Sequence, residues 1–151
     1  MPRRRAALYD LSLLRHDRID TWNLVDLGAT FVVGGYLHSF AKPRAVLYDL
    51  ARSANVWERR TAITATGSFI RHGDLDDTFA LAKLLVHDPE DAINKPVGSW
   101  IRAAWAKDRP RLLAVLDRHA ATMPRVSLRF ATEHLDRETR ARYMGMKARG
   151  S

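Results

Sequence analysis

The stretch Asn55-Val56-Trp57-Glu58-Arg59-Arg60-Thr61-Ala62-Ile63-Thr64-Ala65-Thr66-Gly67-Ser68-Phe69-Ile70-Arg71-His72-Gly73-Asp74 decides the fold. Asn55 is a helix N-cap type, and Glu58 stands at the third helical position, close to a capping box. The helix runs through Arg60, Ile63, Gly67 and Ile70. It stops near His72-Gly73, where glycine supplies a left-handed cap without Cβ strain. Asp74 then caps a second helix, with Asp76 and Asp77 in its first turn and Leu75, Phe79, Ala82 and Val86 as its apolar stripe. Helix, short turn, helix is the unit.

The same unit extends in both directions. Towards the C-terminus, Asp88-Pro89-Glu90-Asp91 combines a cap, a proline at the first helical position and acids near the dipole's positive end. Pro110 and Pro124 each begin a later helix, Asp136 begins a final short one, and Lys147 to Ser151 form a frayed tail. Towards the N-terminus, Pro43 opens a helix through Leu47, Leu50 and Ala51. Gly34-Gly35 permits a turn or a close approach between backbones. Asp20 or Thr21 caps a helix carrying Trp22, Val25 and Asp26, and residues 3–16 form a short helix with Leu8, Leu11 and Leu14 on one side. Apolar residues recur at three- and four-residue spacing and no segment alternates, so the chain is all-α. Helical hairpins of this size stack into a HEAT-like solenoid, and a compact helical bundle is the competing architecture. The expected organisation is one domain over 1–151: an N-terminal helix or cap over 1–16, helical repeats over 17–144, and the tail over 145–151.

Composition narrows the function. Apolar residues are 46% and charged residues 28% of 151, which fits a globular chain with a real core. A net charge of +8 favours an anionic partner, nucleic acid being the commonest. Cysteine is absent, so disulfides and thiolate metal sites are excluded, which suits a reducing cytoplasmic setting. Arg3-Arg4-Arg5 is not followed by a long apolar run, so neither a signal peptide nor a membrane span is expected.

Among the residues that can carry chemistry, the histidines fail first. His16, His38, His72, His87, His119 and His134 show no metal-ligand spacing, so no metal and no cofactor is expected. No GxSxG elbow or Gly-rich phosphate loop is present. The basic residues are better ordered. Arg59 and Arg60 stand in the first turns after Asn55, Lys95 and Arg102 share a helix face, and so do Arg125 and Arg129. Lys107, Arg109 and Arg111 crowd one interhelical turn. Such cations can track a phosphate backbone, or they can be solvated faces satisfied by nearby acids. Trp22 and Asp26, four apart, share a helix face where an indole can stack and a carboxylate can stabilise a developing positive charge. Alternatively, Trp22 anchors the core and Asp26 salt-bridges an arginine.

The segments Asp17-Arg18-Ile19-Asp20-Thr21-Trp22-Asn23-Leu24-Val25-Asp26, Val33-Gly34-Gly35-Tyr36-Leu37 and Ala51–Ile63 resemble the DNA alkylation repair family of HEAT-like-repeat alkylpurine glycosylases. Phe69–Thr78, Lys95-Pro96-Val97-Gly98 and Met123–Ala131 continue the likeness, which covers roughly residues 8–143. The resemblance implies a purine N-glycosylase that wraps duplex DNA and removes N3- or N7-alkylated bases without flipping them into a pocket. It implies that Trp22 packs beside the lesion sugar and that Asp26 is the catalytic carboxylate. It also implies that Arg60 grips the DNA backbone. Arg59, Lys95, Arg102, Arg125 and Arg129, read from their shared helix faces, and Ser99 and Trp100 beside Gly98 are the further expected DNA-facing positions. An alkylated purine already carries positive charge and leaves readily, so one carboxylate without an acid partner suits the substrate. A non-catalytic DNA-binding repeat module is the alternative.

Three departures stand out. The tryptophan the family places directly after the glycine matching Gly98 is here one residue later, Trp100, with Ser99 in its position. One residue on a helix is a turn of about 100°, so Trp100 points elsewhere unless the helix shifts. Pro96 replaces a helix-former and costs about 3 kcal/mol inside a helix unless accommodated. Ala103 replaces an acid, which takes a local partner from Arg102. The family also carries further repeats ahead of the Trp-Asp motif, so self-association of an exposed end face is an open oligomeric question.

Overall fold

Local capping rules hold where no distant side chain competes. Asn55 Oδ1 accepts from Trp57 N at 2.9 Å, Asp108 Oδ1 from Arg111 N at 3.1 Å and Asp136 Oδ1 from Thr139 N at 2.9 Å. Gly73, at φ +78°, closes a helix with Asp74 N bonded to the Phe69 carbonyl and Gly73 N to that of Ile70, a Schellman pair. Elsewhere arginines reach the expected cap first. Asp74 receives Arg44, and the helix behind it starts at Asp76 with no side-chain cap. Asp88 receives Arg59, Pro89 stays outside the helix, and Glu90 occupies the uncapped N-cap position. Glu58 gives no reciprocal capping bond either; Ser53 Oγ takes the Asn55 N–H at 3.0 Å.

A computed structural model describes residues 2–14 and 22–148, with the backbone alone for residues 22–24. The expected cap at Asp20 or Thr21, His16 and the last three residues of the tail lie outside this description. The helices are α1 (Pro2–Leu14), α2 (Trp22–Leu27) continuing through a π-helical stretch (Gly28–Gly34) into α3 (Gly35–Ser39), and α4 (Ala45–Ala51). Next come α5 (Val56–Ala65), α6 (Gly67–Ile70), α7 (Asp76–Leu85), α8 (Asp91–Ala103), α9 (Arg109–His119), α10 (Arg125–Ala131) and α11 (Arg137–Met144). Among the described residues there is no strand. The single helix expected from Val56 to Ile70 is divided at Thr66, whose Oγ1 turns back to the Ile63 carbonyl at 2.6 Å.

Two layers are stitched by contacts between successive repeats, at a nearly constant offset in the first. One layer holds α2 and the π stretch, α5, α8 and α10. Here Thr30 Oγ1 reaches the Thr64 carbonyl, Arg60 reaches Asp26 and the Ala92 carbonyl, and Ser127 Oγ reaches the Asn94 carbonyl. The other layer holds α4, α7, α9 and α11, where Arg44 and Tyr48 reach Asp77, Arg111 reaches Asp76, and Tyr143 reaches Asp117. These contacts join residues 32 to 34 apart in the first layer and 26 to 35 apart in the second. That offset is the repeat the sequence does not show by self-similarity, and a helical-repeat solenoid is the fold. Ile63, Phe69, Leu81, Ile93, Ile101 and Leu128 fill the space between layers with no exposed surface.

At the N-terminal end the leucine row lies on the outer side of α1. Leu8, Leu11 and Leu14 are 53%, 49% and 76% exposed. The face of α1 that packs inward carries Tyr9 and Leu13, with Tyr9 stacked on Tyr36 at 4.5 Å between ring centres.

Candidate functional site

Asp26 is aimed by a period-four seam. Asp26, Thr30 and Gly34 all meet α5 or α6: Asp26 pairs with Arg60, Thr30 bonds Thr64 and Ser68, and a Cβ on Gly34 would lie 2.1 Å from the Ala65 carbonyl oxygen. On an α-helix, positions four apart drift about 40° per step. The wider π turn over Gly28–Gly34 removes that drift and keeps the seam against its neighbour. Gly34 therefore serves a close backbone approach rather than a turn.

Asp26 and Arg60 form a fork-to-fork pair, with Nε to Oδ1 and Nη2 to Oδ2 both at 2.7 Å. Arg60 Nη1 donates to the Ala92 carbonyl of α8 at 2.6 Å. The arginine side chain is 12% exposed and the carboxylate 31%. Three of five guanidinium donors are thus engaged, and the carboxylate keeps about two of its four lone-pair sites for a water or a developing cation. The alternative in which Asp26 salt-bridges an arginine is realised, and its partner is the arginine that the family likeness singled out. Trp22 begins α2, and its side chain lies outside the described residues.

Beside this pair lies a cleft of about 460 Å³ lined by Trp57, Arg60, Asp91, Ala92 and Lys95. Trp57 is half-buried, and Lys95 is exposed with no acid paired to it among the described residues. Sequence reasoning passed over Trp57 and Asp91 as lining groups. The signal available was spacing: Trp57 and Arg60 are three apart on α5, Asp91 and Lys95 four apart on α8.

The other expected DNA-facing residues divide. Ser99 is half-buried on α8 between Lys95 and Arg102, along the same face. Trp100 turns away: its indole covers Gly67, where a Cβ would come within 2.5 Å of Cη2. Trp100 therefore packs on α6 and does not fill the direction of Ser99. Arg102 does have a partner, because Glu133 from the next repeat replaces the acid missing at Ala103, and its guanidinium lies 5.7 Å from the Phe130 ring. Arg129 approaches Phe130 at 5.9 Å and is exposed, whereas Arg125 donates to the Met144 carbonyl at 2.5 Å.

Three other arginines pair with acids of the protein itself, Arg59 in the interior and Arg109 and Arg111 at the surface. Arg59 gives Nε and Nη2 to Asp88, at 2.8 and 3.3 Å, and Nη1 to the carbonyls of Ser53 and Ala54. With four of five donors used and the side chain 14% exposed, it ties the α4–α5 turn to the α7–α8 turn. In the α8–α9 turn, Arg109 lies over Trp105 and pairs with Asp136, and Arg111 pairs with Asp76 over Phe79. That cluster belongs to the second layer, away from Asp26.

Among the described residues, no group of three or more His, Cys, Asp or Glu is placed to hold a metal, and no helix is long and apolar enough to cross a membrane. No curated protein and no solved structure matches the chain. Residues 2–135 match a family model described as DNA alkylation repair enzyme. With the carboxylate, its arginine and the stacked helix pairs all inside that span, the chain belongs to the DNA alkylation repair enzyme family.

Proposed function

We propose that this protein is a DNA glycosylase that hydrolyses the N-glycosidic bond of N3- or N7-alkylated purines in duplex DNA, with Asp26 as its catalytic carboxylate and no base flipping. The observation that carries the reading is the Asp26–Arg60 fork, one-third exposed at the carboxylate and set beside a cleft holding Lys95 and Trp57. The alkylated base brings its own positive charge as leaving group. What remains for the protein is to stabilise the sugar cation and hold a water. The free lone pairs of Asp26 suit both tasks, and Trp57 or Trp22 supplies an apolar wall for the sugar. Lys95, Ser99 and Arg129 are the proposed phosphate contacts, with Arg102 flanking them, while Trp100 serves the packing of α6. Arg60 serves first as the clamp on Asp26, and Arg125 and Arg59 as ties within the fold.

A second reading, a non-catalytic DNA-binding repeat module, has its own observation. Both oxygens of Asp26 are already bonded to Arg60, and Ser99 stands where an aromatic wall is expected. Incubation with duplex DNA containing N7-methylguanine separates the two. Release of free base by the wild type, abolished in Asp26→Asn with DNA affinity kept, supports the glycosylase. DNA binding that weakens steeply with salt, without base release at saturating protein, replaces it with the binding module.

A further inference from the structure

Pro96 sits inside α8 at the sixth helical position, buried, and the helix runs through it. A proline has no N–H, so the carbonyl four residues earlier loses its helical donor, and the ring pushes that carbonyl aside. Four residues before Pro96 is Ala92. The Ala92 carbonyl is the one that Arg60 Nη1 reaches across from α5 at 2.6 Å. Arg60's other two bonds hold both oxygens of Asp26.

We propose that Pro96 is a positioning residue for Asp26: it frees the Ala92 carbonyl, and that carbonyl anchors the guanidinium that holds the carboxylate. An arginine has several rotatable bonds, and a fork bound to one carboxylate can swing with it. A third bond, to the backbone of a different helix, fixes the fork between α2 and α8. An ordinary residue at 96 would place its own N–H on the Ala92 carbonyl and leave Arg60 a shared, weaker acceptor. The cost of proline in the helix is thereby converted into a rigid carboxylate. This inference rests on the reading that Asp26 acts on DNA, and one arm of its test does not depend on that reading.

The test uses the full chain and the variants Pro96→Ala and Pro96→Val, which restore the N–H and should fold at least as well as wild type. NMR of the Arg60 Nε–H and the Asp26 side-chain carboxyl carbon follows the fork directly. Exchange of the Nε–H should rise roughly tenfold in both variants, and the Asp26 resonance should broaden or move. Single-turnover release of N7-methylguanine should fall by a similar roughly tenfold factor, with DNA affinity changed less than about twofold. Unchanged Nε–H exchange in both variants overturns the relay whatever the activity does. Faster exchange with an unchanged release rate overturns the positioning role. If wild type releases no base, the glycosylase reading falls, and the exchange measurement alone decides whether Pro96 fixes Asp26.

Discussion

Replacing Arg60 with methionine removes three short bonds at once: two to Asp26 at 2.7 Å and one to the Ala92 carbonyl at 2.6 Å. Bonds involving a charged group contribute about 1.5–3 kcal/mol, and an orphaned acceptor costs about 1–3 kcal/mol. Because the Asp26 carboxylate is 31% exposed, water compensates part of its loss, and the lower half of the first range applies. Three bonds on one guanidinium do not add, so Arg60→Met should destabilise by about 3 kcal/mol, the low end of the range for breaking a buried pair. At about 2–4 °C per kcal/mol for a domain of this size, the melting point should fall by roughly 6–12 °C. Asp26→Asn keeps an acceptor oxygen towards the fork and should cost about 1–2 kcal/mol. Urea denaturation of both single variants and the double variant closes a cycle whose coupling should be about 1.5 kcal/mol or more. A coupling below about 0.5 kcal/mol would mean a solvated ion pair with no structural hold on Asp26, and the clamp argument would fail.

Other positions give sharper or smaller effects. Gly34→Ala drives a Cβ to within 2.1 Å of the Ala65 carbonyl oxygen, a backbone atom that cannot step aside, so calorimetry should show a loss of about 3 kcal/mol or more. Gly67→Ala meets the Trp100 indole at 2.5 Å instead; the ring should be displaced at a cost of about 1–3 kcal/mol, and acrylamide should quench the tryptophan fluorescence more readily. Asp88→Ala leaves Arg59 nearly buried without its acid and should cost about 3 kcal/mol in urea, with DNA affinity changed less than twofold, roughly, if Arg59 is a tie and not a phosphate contact. Tyr48 is held protonated to about 12 by burial and by its bond to Asp77. A raised pKa means that its contribution is complete below the ordinary tyrosine value near 10 and is lost as pH rises through about 12. Stability of Tyr48→Phe should therefore converge on wild type across that window. A constant difference through the window would show that Tyr48 gives no pH-linked contribution.

What the sequence made legible was whatever is settled within one turn of helix. Asn55 and Asp136 cap as their positions suggest because the N–H groups they satisfy are two or three residues away, and Asp108, just ahead of the start expected at Pro110, does the same. Gly73 terminates a helix for an equally local reason. Asp74 carries the same local signal and does something else, while Asp88 accepts the nearby Glu90 N–H at 3.0 Å and an arginine besides. A guanidinium arriving from about thirty residues away, Arg44 or Arg59, offers a charge-assisted bond that a backbone N–H cannot match. Arg102 is the converse: it looked partnerless beside Ala103 and finds Glu133 one repeat later. The Leu8, Leu11 and Leu14 row shows what periodicity leaves open, since it gives a face but not the direction in which the face rolls.

The candidate site was legible as a list and illegible as an arrangement. Asp26, Arg60 and Pro96 each stood out alone: a carboxylate without an acid partner, a cation expected on DNA, and a proline that should damage its helix. Each looks costly or incomplete in isolation. An Arg60 buried to 12% exposure needs a counter-charge, Asp26 needs a rigid direction to stabilise a cation, and Ala92 needs a donor that residue 96 cannot supply. One guanidinium meets all three needs at 2.6–2.7 Å. Reading it from sequence would have required knowing that residues 26, 60 and 92 fall in one register. That register comes from the offset of 32 to 34 residues between stacked repeats in this layer, which becomes visible only when the helices are placed side by side. The same offset predicts where compensation should be sought when a single position here departs from its family. The place to look is one repeat away, on the same layer, rather than in the neighbouring turn.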